Sequence, residues 1–105
     1  MIVLTYDAIS DLKIIADGVR QRDGAGRCEQ VIDKIVKAAQ DLAHTPQMGG
    51  RIRELVDLGN REYREILAGP YRLVYRVVEQ KIHIVLIADN RKDIRALLEQ
   101  RLLRM

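Results

Sequence analysis

The stretch Tyr71-Arg72-Leu73-Val74-Tyr75-Arg76-Val77-Val78 decides how this sequence is read. β-Branched and aromatic residues dominate it, which suits a pleated, half-buried strand. Alternation sends Tyr71, Leu73, Tyr75 and Val77 to one face and Arg72, Val74, Arg76 and Val78 to the other. The strand is bounded by Gly69-Pro70 and Glu79-Gln80. Beyond these pairs lie the similar runs Tyr63 to Ala68 and Lys81 to Ala88, and a further run, Ile52 to Leu58, precedes Gly59-Asn60. Such short connections leave no room for crossovers, so the four runs predict an antiparallel meander.

Upstream the period changes. Ile2-Val3-Leu4-Thr5-Tyr6 reads as a short first strand, after which Asp7 or Ser10 can cap a helix. Ala8, Leu12, Ile15 and Val19 recur at spacings of four, three and four, which gathers them on one helical face. The run Arg22-Asp23-Gly24-Ala25-Gly26 interrupts that pattern and marks a turn. Cys28, Val31, Ile32, Ile35, Ala39 and Leu42 then form a second apolar stripe, so the two helices predict an antiparallel hairpin. Its end is marked by the proline and glycine pair of His44-Thr45-Pro46-Gln47-Met48-Gly49-Gly50. After the meander, Asp89 or Asn90 can cap a last helix carrying Ile94, Leu97, Leu98 and Leu102. The predicted class is α+β, one domain over residues 1–105. A short N-terminal strand and a two-helix hairpin pack on a four-stranded antiparallel meander, whose other face is open or covered by the C-terminal helix.

Composition agrees with a soluble globular domain, at 48% apolar and 31% charged residues. The single cysteine, Cys28, rules out an intramolecular disulfide, and its place on an apolar stripe predicts a buried small hydrophobe. A cytoplasmic location is expected, because Met1 to Tyr6 lacks the basic lead-in and length of a signal peptide. The longest apolar run, Ile84 to Ala88, is far short of a membrane span.

The net charge is +3, unevenly distributed. Residues 1–48 hold 6 Lys/Arg against 7 Asp/Glu, whereas residues 49–105 hold 12 against 8, including 10 of the 13 arginines. Arginine pairs bidentately with carboxylate or phosphate, so this half predicts an acidic partner. Candidate binding residues are Arg61, Arg64, Arg72, Arg76, Arg91, Lys92 and Arg95. The last three fall in or near the first turn of the terminal helix, where the dipole disfavours cations, so local stability does not explain them.

No standard catalytic constellation is present. Gly49-Gly50-Arg51 lacks the lysine and serine of a phosphate-binding loop, and His44 and His83 have no sequence tie to a nucleophile or metal. His83, between Ile82 and Ile84, reads as an outward strand residue. Neither a cofactor nor a metal is expected, since Asp89 and Asp93 without a third ligand are a weak signal.

Several of these features in order resemble the RelE/ParE superfamily over essentially the whole chain. They are Asp11-Leu12, Thr45-Pro46-Gln47-Met48-Gly49-Gly50-Arg51, Arg61-Glu62-Tyr63-Arg64, the Gly69 to Arg76 strand, and Arg91-Lys92-Asp93. The resemblance implies the toxin of a bacterial type II toxin-antitoxin pair, inhibiting growth and stabilising plasmids. It also implies neutralisation by a cognate antitoxin whose C-terminal segment wraps the toxin, with operator DNA touched only through that antitoxin and no membrane involved.

The superfamily divides between RelE-like members, which cleave messenger RNA in the ribosomal A site, and ParE-like members, which poison DNA gyrase. Cleavage needs a base for the ribose 2′-hydroxyl, cations for the phosphorane and an acid for the leaving oxygen. Arg72 and Arg91 match RelE arginines, and Arg64 falls roughly at the first of its two lysines. The second lysine position is Ile66, and the terminal-helix tyrosine falls near Leu97. If the chain were a ribonuclease, Arg64, Arg72 and Arg91 would be its catalytic set. With the proton-transfer groups gone no catalytic residue is expected, and the ParE-like branch is favoured. A fold that has lost toxicity and serves as an antitoxin-binding co-repressor is the third reading. An acidic or amphipathic antitoxin segment is expected to cover Arg72, Arg76 and Arg91.

Overall fold

In the computed structural model, residues 1–56 and 62–103 are described, the last two by their backbone alone. The elements are β1 (Ile2–Leu4), α1 (Tyr6–His44), β2 (Gly50–Arg51), α2 (Arg53–Val56), β3 (Arg64–Ala68), β4 (Tyr71–Val78), β5 (Lys81–Asp89) and α3 (Ile94–Leu103).

The expected helical hairpin is present within α1. Continuous helix of 39 residues would be roughly 58 Å long at 1.5 Å per residue, yet the molecule's longest dimension is 41 Å. The helix breaks at Gly24, whose φ of 89° and ψ of 173° are non-helical, a conformation that a residue without a Cβ adopts readily. Beyond it the chain returns, bringing the Cys28 thiol within 3.3 Å of the Ala16 carbonyl twelve residues earlier, to which it donates. Cys28 is buried, as its place on the stripe implied. The N-terminal cap is Thr5, not Asp7 or Ser10: its hydroxyl accepts from the Ala8 amide at 3.2 Å.

The five strands form one sheet in the order β1-β5-β4-β3-β2. β1 joins β5 in parallel, and the other pairings are antiparallel. The meander therefore has its four consecutive strands, but the first is displaced. Gly50 and Arg51 pair with Glu65 and Arg64, while Arg53–Val56 within the expected strand Ile52 to Leu58 is a turn of helix. There Ile52 and Leu55, three apart, are both buried, a spacing that serves a helix and defeats strand alternation. The expected turn at Gly59-Asn60 lies outside the described residues.

Both expected two-residue connections form. Ala68 pairs with Tyr71 across Gly69-Pro70, and Val78 with Lys81 across Glu79-Gln80. Glu79 and Gln80 have φ of 51° and 67°, the left-handed pair that a type I′ turn demands and that glycine and asparagine fill more easily.

Each sheet face has its own core. On the first, Ala8, Val19, Val31, Ile35 and Leu42 of α1 pack against Tyr71, Leu73 and Tyr75 of β4 and Ile82, Ile84 and Ile87 of β5. On the second, α2 and α3 supply Leu55, Ile94 and Leu98 over Val74, Val85, Leu86 and Ala88. The terminal helix thus covers the face that the sequence left undecided. The register of β4 on β5 shifts after Val74, which pairs with Leu86 while Tyr75 pairs with Ile84. Val85 is the extra residue of this bulge, so Val85 and Leu86 both serve the second core. Truncating a fully buried side chain such as Leu42 or Leu98 costs about 2–5 kcal/mol.

The cap of α3 is Asp93, whose carboxylate accepts from the Ala96 amide at 3.0 Å. Neither Asp89 nor Asn90 fills that place, since four residues, 90 to 93, separate the end of β5 from the start of the helix. The side chain of Leu102, expected on the apolar stripe of this helix, lies outside those described.

Candidate functional site

Alternation along β4 places Arg72 and Arg76 on the second sheet face, as read from the sequence, but their surroundings differ. Arg72 is enclosed by carboxylates. Its NH1 and NH2 groups donate to the two oxygens of Glu54 at 2.9 and 3.0 Å. Its Nε donates to Glu65 at 2.8 Å, and NH2 makes a further, very short contact with the same oxygen. Four of its five N–H groups are thereby engaged, and its side chain is only 12% exposed.

Hydrogen bonding to Glu54, then to Glu65, holds the Arg72 guanidinium protonated even more firmly than usual. The same bond from Arg72 holds the Glu54 carboxyl below the usual carboxylate range, against the opposing effect of its burial. Arg51, Arg53, Glu54, Glu65 and Arg72 together line a shallow cleft of about 340 Å³. A carboxylate kept ionised this firmly is a poor proton acceptor near neutral pH. An anion approaching Arg72 meets the two carboxylates that already take four of its five N–H groups.

Arg76 is looser. It lies 3.8 Å from Glu62 with a third of its side chain exposed, and its guanidinium sits 5.6 Å from the centre of the Tyr63 ring. On that face Val74 stands between Arg76 and the Arg72 network.

Arg64 does not join them. It pairs with Tyr75 and so faces the helical hairpin, where its guanidinium donates to the Gly49 carbonyl at 2.8 Å. The Tyr75 hydroxyl accepts from the Gly49 amide at 3.0 Å and donates to the Pro46 carbonyl at 2.8 Å. Arg64 and Tyr75 thus pin the loop between α1 and β2, a structural role. Arg61 lies outside the described residues.

Past β5, Arg91 forms a bidentate pair with Asp89, at 3.1 and 2.9 Å, while keeping 86% of its side chain exposed. The pairing holds the Asp89 carboxyl below its ordinary range, the side-chain bond from Arg91 leading and its backbone bond assisting. Lys92 follows in the turn, and Arg95 pairs with Glu99 at 3.1 Å, one helical turn on. Helix-dipole repulsion is thus offset locally, with Asp93 at the cap and Asp89 beside Arg91. Of the expected set, Arg76, Arg91, Lys92 and Arg95 present their charge to solvent, whereas Arg64 and Arg72 are committed within the fold.

One further ion pair had no signal in the sequence. Arg101 of α3 reaches Asp11 of α1, with N–O distances of 2.6 and 2.5 Å, and also donates to the Val85 carbonyl at 2.9 Å. Asp11 accepts in addition from the Ile87 amide at 2.9 Å. The two side chains are only 14% and 12% exposed, so this cluster ties the hairpin, the β5 bulge and the terminal helix together.

Among the described residues no three His, Cys, Asp or Glu side chains cluster as a metal site, and no helix is long and apolar enough to cross a membrane. No curated protein matches the chain. In fold it matches a solved chain described as "Chromosomal ParDE TA system from P. aeruginosa", with a TM-score of 0.71 at 23% identity, over 84% of this chain and 92% of that one. The family model for the ParE toxin of the type II toxin-antitoxin system, parDE, matches residues 2–94. With both its residues and its strand order accounted for, the chain belongs to the ParE toxin family of type II toxin-antitoxin systems, within the wider RelE/ParE superfamily.

Proposed function

We propose that this toxin arrests growth by poisoning DNA gyrase, without catalytic chemistry of its own, and is neutralised by the C-terminal segment of a cognate antitoxin. The observation that carries the reading is the enclosure of Arg72 by Glu54 and Glu65. A ribonuclease of this fold would need that arginine free to stabilise a phosphorane. Among the described residues, no histidine, tyrosine or lysine lines its cleft to move protons.

The target and the antitoxin meet the solvent-facing cations Arg76, Arg91, Lys92 and Arg95. The antitoxin segment is acidic or amphipathic and covers Arg76 and Arg91, with the Arg72 cleft beneath it. Operator DNA is reached only through the antitoxin. Toxin action takes place in the cytoplasm.

The test is induction of the chain without its antitoxin. Growth arrest with gyrase trapped covalently on DNA, and messages free of new ends, is the expected result. Codon-positioned cuts in ribosome-bound messages would overturn it in favour of the RelE-like reading, and unimpeded growth in favour of the co-repressor. Charge reversal at Arg76 and Arg91 is expected to weaken antitoxin binding at least tenfold in a salt-controlled titration. Unchanged affinity would remove that surface from the proposal.

A further inference from the structure

A second basic feature lies away from the β4 arginines, where the tip of the helical hairpin meets the β3–β4 turn. Arg22 and Arg27 flank the Gly24 break, and Lys34 follows on the returning limb. With Val19, Asp23, Val31, Ala68, Pro70 and Tyr71 they line a cavity of about 100 Å³. All three cations are exposed. None forms an ion pair among the described residues, whereas Arg20, on the same limb as Arg22, is paired with Asp17 at 3.3 Å. Arg27 has one bond to the Gln30 side chain, at 3.2 Å, which leaves most of its donors unused. Asp23 is the single opposing charge in the lining. Like charges converging without partners are a local cost that a bound anion removes.

The character of that anion follows from two observations. The whole of α1 holds 6 Lys/Arg against 7 Asp/Glu. An extended polyanion lying along the hairpin would therefore meet as many repulsive as attractive charges, while a single anionic group seated at the tip meets mainly cations. Val19, Val31, Ala68 and Pro70, four of the nine described lining residues, set an apolar wall beside the cations. A phosphodiester has nothing to bury there, but a carboxylate neighboured by an aliphatic side chain matches both parts.

We infer that the hairpin tip is a docking site for an acidic protein segment, in which one carboxylate engages Arg22, Arg27 and Lys34 while an adjacent aliphatic side chain rests on Val19, Val31 and Pro70. The site is separate from the sheet-face cations and does not depend on the identity of the toxin's target. Its volume of about 100 Å³ admits the aliphatic side chain alone, with the carboxylate held by the cations at its rim, so the affinity of an isolated peptide is weak. Its effect is to anchor one point of a longer partner.

The test is an NMR titration of the full chain with an acetylated, amidated Leu-Glu-Leu-Glu peptide. Saturable shifts are expected at Arg22, Arg27, Lys34 and Tyr71, and the Leu-Gln-Leu-Gln peptide should bind at least tenfold more weakly. The double variant Arg27→Glu/Lys34→Glu, at exposed positions, should lose the acidic peptide to the same degree with an unchanged melting temperature. Absence of shifts with the acidic peptide overturns the inference, as does equal binding of the glutamine peptide to the unaltered protein. Stronger perturbation of the same residues by duplex DNA or inorganic phosphate overturns it as well.

Discussion

The Asp11–Arg101 pair gives a sharp quantitative expectation, because two elements ninety residues apart meet through it. Asp11→Ala leaves the Arg101 guanidinium, 14% exposed, bonded among the described residues to the Val85 carbonyl, with the Asp7 charge acting on it without a hydrogen bond, and it orphans the Ile87 amide just past the bulge. Removing one member of a buried pair costs about 3–5 kcal/mol. Residual exposure of both side chains places this case near the lower end. For a domain of this size about 3 kcal/mol corresponds to a fall in melting temperature of roughly 12–24 °C. Arg101→Met should cost a similar amount, and Asp11→Asn somewhat less than Asp11→Ala, because its amide oxygen still accepts from Ile87. In the double variant Asp11→Ala/Arg101→Met the uncompensated charge is gone. Its cost should therefore fall short of the sum of the singles by about 1–3 kcal/mol. Urea denaturation of the four proteins, with far-ultraviolet circular dichroism as the signal, measures this coupling. Additivity within about 0.5 kcal/mol would show that the pair is incidental and that α3 is held by Ile94 and Leu98 alone.

The Glu54–Arg72 bond sets a pH dependence. Glu54 is depressed below its ordinary value of 4.5 in the folded state, so its stabilisation is complete above that value and is lost as the pH falls further. Urea midpoints between pH 5 and pH 3 should show this loss, and Arg72→Met should lower the midpoint at pH 7 while flattening that acid slope. At the β4–β5 turn, Gln80→Gly relieves a left-handed residue and should stabilise by about 1 kcal/mol, read as a higher melting temperature. A Cβ at Gly49 would stand 2.5 Å from the Tyr75 hydroxyl and 2.8 Å from the Glu65 carbonyl. Gly49→Ala should therefore break the Tyr75 bonds and destabilise by about 2 kcal/mol, with the loss seen as accelerated amide exchange between Pro46 and Arg51.

Much of the fold was legible because its periods are clean. Tyr71, Leu73 and Tyr75 alternate onto the first core as their spacing implies, and the apolar spacing of both α1 limbs matches the residues packed there. Ile52 to Leu58 misled because a short apolar run carries too few residues to separate a strand from one helical turn. At the caps, Thr5 lies only two residues before Asp7, and Asp93 shortly after Asp89 and Asn90, closer than local preference resolves.

The charge asymmetry and the shared face of Arg72 and Arg76 were also visible in the sequence. The Glu65 contact was within reach, since a two-residue turn at Gly69-Pro70 sets Leu67 opposite Arg72 and brings Glu65 diagonal to it on the same face. Glu54 was hidden by the strand reading of its segment. Arg101–Asp11 has no local signature, because two elements far apart in sequence meet only through the tertiary fold. Counting arginines therefore overstated how many are available to a partner: the fold commits Arg64, Arg72 and Arg101 to its own oxygens.

Whether this toxin traps gyrase, as proposed, and needs no chemistry of its own is decided by adding the purified chain to gyrase and relaxed plasmid. The expected result is loss of supercoiling together with accumulation of protein-linked, cleaved DNA, dependent on the toxin's concentration and abolished by reversing the charges of Arg76 and Arg91. Supercoiling and cleavage-complex levels that stay unchanged at a large molar excess of folded toxin would contradict it.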